Sequence, residues 1–268
     1  RALVYFMNDE NDITSPSYKF IINDEKIFAP VKTFAVTKFS TKDSSALYFN
    51  AILLLQNILQ FHLNDANKDA LLDADLIRLA FANEQGGFNN KSKLYEDALM
   101  SIEANYPGNP YAAQAMYLRA QEYMERGSAF HPLTEKENQY ELKKAKELCE
   151  GAIYKFPKTE GALLCKNLLA QINQPSLNLE TEKVNIPGQA FRSLVKYKNV
   201  STLYLRVIKT NREELKAIEG TGYDKIWPAL IKLPTLKSWT VTLPDLKDYQ
   251  QHSTEIKIDA LPAGTYMI

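Results

Sequence analysis

The chain has 268 residues, 45% of them hydrophobic and 24% charged, with Lys+Arg and Asp+Glu equal at 32 each. A formal net charge of zero gives no electrostatic attraction for nucleic acid or for an anionic membrane. Two cysteines are too few for a disulfide scaffold, and the most apolar stretch, Ala46 to Leu63, is interrupted by Asn50, Gln56, Asn57, Gln60 and His62, which fits a buried helix and excludes a membrane span.

Taken in chain order, residues 1–8 read as the end of a helix stopped by Asn8-Asp9-Glu10-Asn11-Asp12. Tyr18 to Ile22 and Thr33 to Phe39 have strand-like composition, broken by Asn23, Asp24 and Pro30, so 1–42 is expected to be a connector with short extended pieces. From Asp43 to Ile172 apolar residues recur every three or four positions, the period of amphipathic helices. Asp43 is expected to cap a helix running through Leu63 with the stripe Leu47, Leu54, Ile58 and Phe61. Further helices are expected at Asp69–Asn83, stopped by Gly86-Gly87, at Lys91–Tyr106, at Tyr111–Arg126, from about Glu135 to Lys155, and at Thr159–Ile172. Asn105-Tyr106-Pro107 and Lys155-Phe156-Pro157 both close one helix and open the next, an internal echo fifty residues apart.

At Pro175 the period changes to alternation. Leu177, Leu179 and Thr181 to Ile186 open a β part. Tyr197 to Thr210 reads as one long strand, with Leu203, Leu205 and Val207 on one face and Tyr204, Arg206 and Ile208 on the other. Asn211 and Arg212 are expected to cap a short helix, Glu213 to Ile218, ended by Gly220 and Gly222. Strands follow around Trp239–Leu243, Ile256–Ile258 and Thr265–Ile268. The expected architecture is α+β and multidomain: a connector at 1–42, a helical-hairpin array at 43–174, and an antiparallel β-sandwich at 175–268. Both chain ends read as cut, so the chain is expected to be a piece of a longer protein.

No reaction centre emerges from the residues. His62, His131 and His252 lie in three different elements, and no nucleophile elbow, P-loop or dinucleotide fingerprint occurs. Asp65-x-Asn67-x-Asp69 begins like a calcium loop, but Ala70 and Leu76 stand where Gly and Glu are needed, which leaves an acidic link between helices. No catalytic, cofactor or metal residue is assigned, and the chain is read as non-enzymatic. Cys149 and Cys165 each lie eight residues from Pro157, at equal height in an antiparallel hairpin. They are either two small core residues or, in an oxidising compartment, a disulfide. Tyr111, Tyr117, Tyr123 and Tyr140 fit either core packing or the aromatic face of a binding groove.

Two resemblances follow. Ala145, Cys149, Ala152 and Pro157 resemble the second helix of a tetratricopeptide repeat, while Ala120 and Tyr123 match its first helix only in part, without the Trp or the Leu-Gly pair. The whole chain resembles the bacterial, Bacteroidetes-type alpha-2-macroglobulin-like proteins, through Phe49 to Asp65, Asp75 to Leu79, Phe156 to Ala162 and Val195 to Val200, and through the Leu261-Pro262-Ala263-Gly264-Thr265-Tyr266 ending of a macroglobulin-type β domain. That resemblance implies an extracytoplasmic protease trap, in the periplasm or at the outer surface and lipid-anchored. Its partners would be attacking proteases and the other domains of one long chain. Such traps often carry a reactive thioester. Ala82-Asn83-Glu84-Gln85 has Ala82 where the thioester Cys belongs, so the fragment would be scaffold rather than trap. The alternative is a helical-repeat adaptor of the cell envelope that binds protein or glycan.

Overall fold

The computed structural model describes residues 1–8, 18–134, 137–220 and 222–268. It is a mixture of helices and two small antiparallel sheets, divided into two compact units, Arg1–Gln171 and Ile172–Ile268. The first 42 residues belong to the helical unit.

The helical unit contains α1 (Ala2–Met7), a 3-10 turn at Glu25–Phe28, α2 (Val31–Phe34), α3 (Leu47–His62), α4 (Asp69–Gln85), α5 (Lys91–Asn105), α6 (Pro110–Ser128), α7 (Glu141–Lys155) and most of α8 (Glu160–Asn173). Helix α4 is at its centre. Leu71, Leu72, Leu76, Leu79, Phe81 and Ala82 are buried on several sides of it, together with the charged Asp75 and Arg78. A helix buried all round shows little amphipathicity, and its two charges must find partners. Arg78 does so with Asp75 (2.7 Å), with the carbonyls of Ile27 (2.9 Å) and Ala29 (2.7 Å), and with the face of Phe34, 4.5 Å from the ring centre.

That clamp corrects the reading of the connector. Thr33 to Phe39 is not a strand: α2 and a turn occupy its first half, and among the described residues Tyr18 to Ile22 pairs with no strand. The aromatic and β-branched residues that suggested strands are there because they are core. Ile27 and Phe34 are fully buried, and Phe28 nearly so. Side chains from α3 and α4, rather than a ladder, satisfy the connector carbonyls, Gln56 taking those of Phe34 and Thr37 (both 2.7 Å).

The same contact rotates α3. Its buried face is Ala51, Ile52, Leu55, Gln56 and Leu59, whereas Phe61 is 79% exposed. Eleven of the sixteen residues of α3 are apolar, so period alone does not select one face, and the packed connector decides it. Asp43 does not cap α3. Its carboxylate accepts from the Ser45 amide (3.0 Å) and hydroxyl (2.7 Å) in a turn before the helix, which starts at Leu47. Those hydrogen bonds hold the Asp43 carboxyl below its usual range.

The echoed turns are alike in three dimensions. Tyr106 (φ −128°, ψ 51°) and Phe156 (φ −131°, ψ 54°) end α5 and α7 in the same conformation, each amide donating to the carbonyl four residues back at 2.9 Å. Asn109 and Thr159 then start α6 and α8 with side-chain caps. Helix α7 begins at Glu141, later than expected, because 137–140 form turns; the expected helical start at Glu135 lies outside the described residues.

In the second unit, β1 (Ser176–Thr181), β2 (Phe191–Lys198) and β5 (His252–Ile258) form one sheet in the order β1-β2-β5. The other has the order β4-β3-β6, from β3 (Thr202–Thr210), β4 (Thr235–Thr242) and β6 (Thr265–Met267). Val195, Tyr197, Ile256 and Ile258 from the first share one apolar cluster with Leu203 and Leu205 from the second. The described residues thus form two three-stranded antiparallel sheets with a common core, and no larger β-sandwich is seen among them. The expected single strand Tyr197–Thr210 is two, broken at Asn199, whose φ of 52° turns the chain from one sheet into the other. Asn tolerates that left-handed conformation, and its amide here donates to the carbonyl of Ile172 (2.8 Å). Between β3 and β4 the chain forms α9 (Arg212–Glu219), capped by Asn211 as expected, and α10 (Tyr223–Lys232), which the sequence reading did not foresee. Pro228 inside α10 disguised it.

Candidate interaction surfaces

Three of the four candidate tyrosines lie along α6 and are half-buried, whereas Tyr140, just before α7, is 49% exposed. Tyr111 packs against the helical core. Tyr117 lies beside both cysteines. Tyr123 is held in a network of charges: its hydroxyl donates to Glu96 and accepts from Arg119 (3.2 Å), and the Arg126 guanidinium covers its ring at 4.8 Å. Arg119 also grips both carboxylate oxygens of Glu103, at 2.8 and 2.9 Å. Arg126 reaches Glu96 (3.4 Å) and Glu141 (3.0 Å), and Glu141 accepts from Lys144 (2.5 Å). One network therefore fastens α5, α6 and α7. The sequence carried its signal, since Arg119, Tyr123 and Arg126 fall four and three residues apart on one helix face and Glu96 and Glu103 seven apart on the next.

Burial of carboxylates beside this network has a pH consequence. Glu122 accepts from Asn83 Nδ2 (2.8 Å), yet burial raises its pKa above the ordinary 4.5. A raised folded pKa means that the charged form costs stability above it, and that the cost fades as pH falls toward the unfolded value. Glu122→Gln keeps the acceptor and removes the charge. The variant is expected to match or exceed the parent melting temperature at pH 7, with the difference gone near pH 4; a lower melting temperature at pH 7 would show that the charge stabilises the fold.

Cys149 on α7 and Cys165 on α8 are fully buried free thiols in mutual contact. The Cys149 thiol is pushed upward by its hydrogen bond to Cys165 and by burial. Because both are fully buried, neither is expected to react with iodoacetamide in the native chain, and both are expected to react after unfolding without reductant. A chain that stays unlabelled in denaturant carries a disulfide instead.

The remaining sequence candidates have structural surroundings. His62 bonds Asp65 (2.7 Å) and His252 bonds Asp248 (2.8 Å), in different units, while His131 is exposed. Asn67 and Asn109 hold Asp69 at the start of α4. In 82–85, Asn83 and Gln85 tie α4 to Glu122 and Tyr48. Among the described residues no cluster of three or more His, Cys, Asp or Glu is placed to hold a metal ion. No described helix is long and apolar enough to cross a membrane.

A cavity of about 810 Å³ lies in the helical unit beneath the connector, between α4 and α5. Its size suits a small ligand, and Glu25 and Asp97 formally balance Lys32 and Lys68 around it. In the second unit α10 exposes Tyr223 (90%), Trp227 (68%) and Ile231 (61%), four residues apart on one face. Arg206 of β3 pins the end of this helix by donating to the carbonyls of Leu230 (3.2 Å) and Ile231 (3.0 Å).

Comparison with protein-family models, curated proteins and solved structures finds no match to this chain.

Proposed function

We propose that the chain is a non-catalytic scaffold segment of a bacterial alpha-2-macroglobulin-like protease trap, working outside the cytoplasm. The observation that carries this reading is the order of parts. A helical unit with two like-shaped interhelical turns runs directly into two small antiparallel sheets with a shared core. The helices are read as a degenerate tetratricopeptide-like platform, and the sheets as a macroglobulin-type β domain. The fastening of α5, α6 and α7 by partly buried ion pairs fits a platform better than a chemical site. The second reading, a protein- or glycan-binding adaptor, needs an accessible aromatic face. Tyr111, Tyr117 and Tyr123 are engaged in packing and hydrogen bonds, and this favours the scaffold.

The test is protease trapping by the full-length protein with and without residues 43–173. Loss of trapping on deletion supports the scaffold role, and unchanged trapping removes it. Binding of a glycan or peptide by the isolated 268-residue chain at its helical unit would favour the adaptor.

A further inference from the structure

Six charged residues line the cavity beneath the connector, and their formal charges cancel, but they are not matched to one another. Asp75 and Arg78 pair at 2.7 Å, and both are buried too deeply to meet a ligand. The other two acids are engaged from outside the cavity. Glu25 accepts from Asn90 (2.8 Å), and both oxygens of Asp97 accept from Lys93, at 3.2 and 2.9 Å. The two lysines have no such match. Lys68 donates to the uncharged carbonyl of Leu63 (2.9 Å), and Lys32 makes no hydrogen bond or ion pair among the described residues. Lys93 adds a further cation beside Asp97, so the surroundings carry an excess of positive charge. The start of α4 acts in the same sense. Lys68 holds its cap position without a side-chain hydrogen bond to the first turn, and Leu71 in that turn is part of the wall. A helix N-terminus favours an anion. Asp69, the acid of that turn, is held by Asn67 and Asn109 and does not line the cavity. Much of the remaining wall is apolar, from Phe28, Val31, Leu79, Leu94 and Ile102.

We propose that this cavity binds a small organic monocarboxylate, its carboxylate met by Lys32 and Lys68 and its alkyl or aryl body lying against Phe28, Leu94 and Ile102. Burial of the apolar body supplies the attraction, and the two lysines select the sign of the head. Glu25 and Asp97 oppose a second negative charge, so the head is a monoanion rather than a phosphomonoester dianion. Nothing in this depends on the protease-trap reading.

The test is calorimetric titration of the 268-residue chain at neutral pH with octanoate, octan-1-ol and octylammonium, which share a body and differ in the head. Octanoate is expected to bind at one site, about tenfold or more tighter than octan-1-ol, and octylammonium more weakly than either. Lys32→Gln and Lys68→Gln are each expected to weaken octanoate by about fivefold or more and to leave octan-1-ol unchanged. Ala98→Trp, which fills the space from α5, is expected to abolish binding of both. Should that variant fail to fold, amide chemical shifts of the parent chain locate the site, with octanoate moving the α4 and α5 residues of the wall. Absence of saturable binding at millimolar octanoate, equal affinity for octanoate and octan-1-ol, or binding indifferent to both lysine variants overturns the proposal. Shifts confined to the second unit overturn it as well, and so does tighter binding of octyl phosphate than of octanoate, which would make the head a dianion.

Discussion

Arg78→Met is expected to destabilise the helical unit by about 3–5 kcal/mol, the range found when one partner of a buried ion pair is removed. The substitution keeps most of the apolar stem but strips three groups of their partner: the Asp75 carboxylate and the carbonyls of Ile27 and Ala29. Burial already opposes both charges, raising the pKa of Asp75 and lowering that of Arg78. The pair is also imperfect, since Arg78 Nε is buried without a hydrogen-bond partner. Adding Asp75→Leu to Arg78→Met is therefore expected to recover part of the loss, because it removes the stranded charge, but not all of it, because the two carbonyls stay unpaired. Chemical denaturation followed by helix circular dichroism measures both variants. A single variant within 1 kcal/mol of the parent would show that water replaces the guanidinium, and the clamp would lose its importance.

The second large effect comes from a residue that helix propensity would call a defect. Gly161 opens α8 against the backbone of α6. A Cβ there would lie 2.4 Å from the Ala113 carbonyl carbon and 2.5 Å from the Gln114 nitrogen. Propensity alone predicts that Gly161→Ala gains about 1 kcal/mol. Contact with backbone atoms, which cannot swing aside, is expected to reverse the sign and cost about 1–3 kcal/mol as overpacking. Gly151→Ala on α7 is the internal control. Its Cβ would meet only the Met116 methyl, at 3.5 Å, so the propensity gain of about 0.5–1 kcal/mol is expected to survive. Opposite shifts in melting temperature for the two variants are the expected result. Two shifts of the same sign would mean that α6 and α8 can move apart at no cost.

Much of the secondary structure was legible because it follows local rules. The Pro107 and Pro157 turns, the Gly86 stop and the Asn211 cap act within a few residues, and each falls where the pattern placed it. Failures came where distant parts decide. The face of α3 is chosen by a connector packed across Gln56, about twenty residues earlier in sequence. The connector looked extended because its aromatic and β-branched residues are those of a strand, yet its partners are side chains. Asn199 hid inside an alternating run because a single left-handed residue leaves the alternation intact on either side. The network around Tyr123 was readable only as spacing, since two like-charged rows on separate helices say nothing until the helices are adjacent.

The connector has a kinetic meaning beyond its packing. Its core residues are held in place by groups such as Arg78, 51 positions from the Ile27 carbonyl that it binds. By contrast, the successive helices α5 and α6 meet through the short link 106–109. Closing the long loop repays its entropy only once α3 and α4 are already formed, so the helical array assembles first and the connector docks last. In the native protein the order is expected to run backwards, so that release of this strap uncovers one side of α4 while the later helices remain folded.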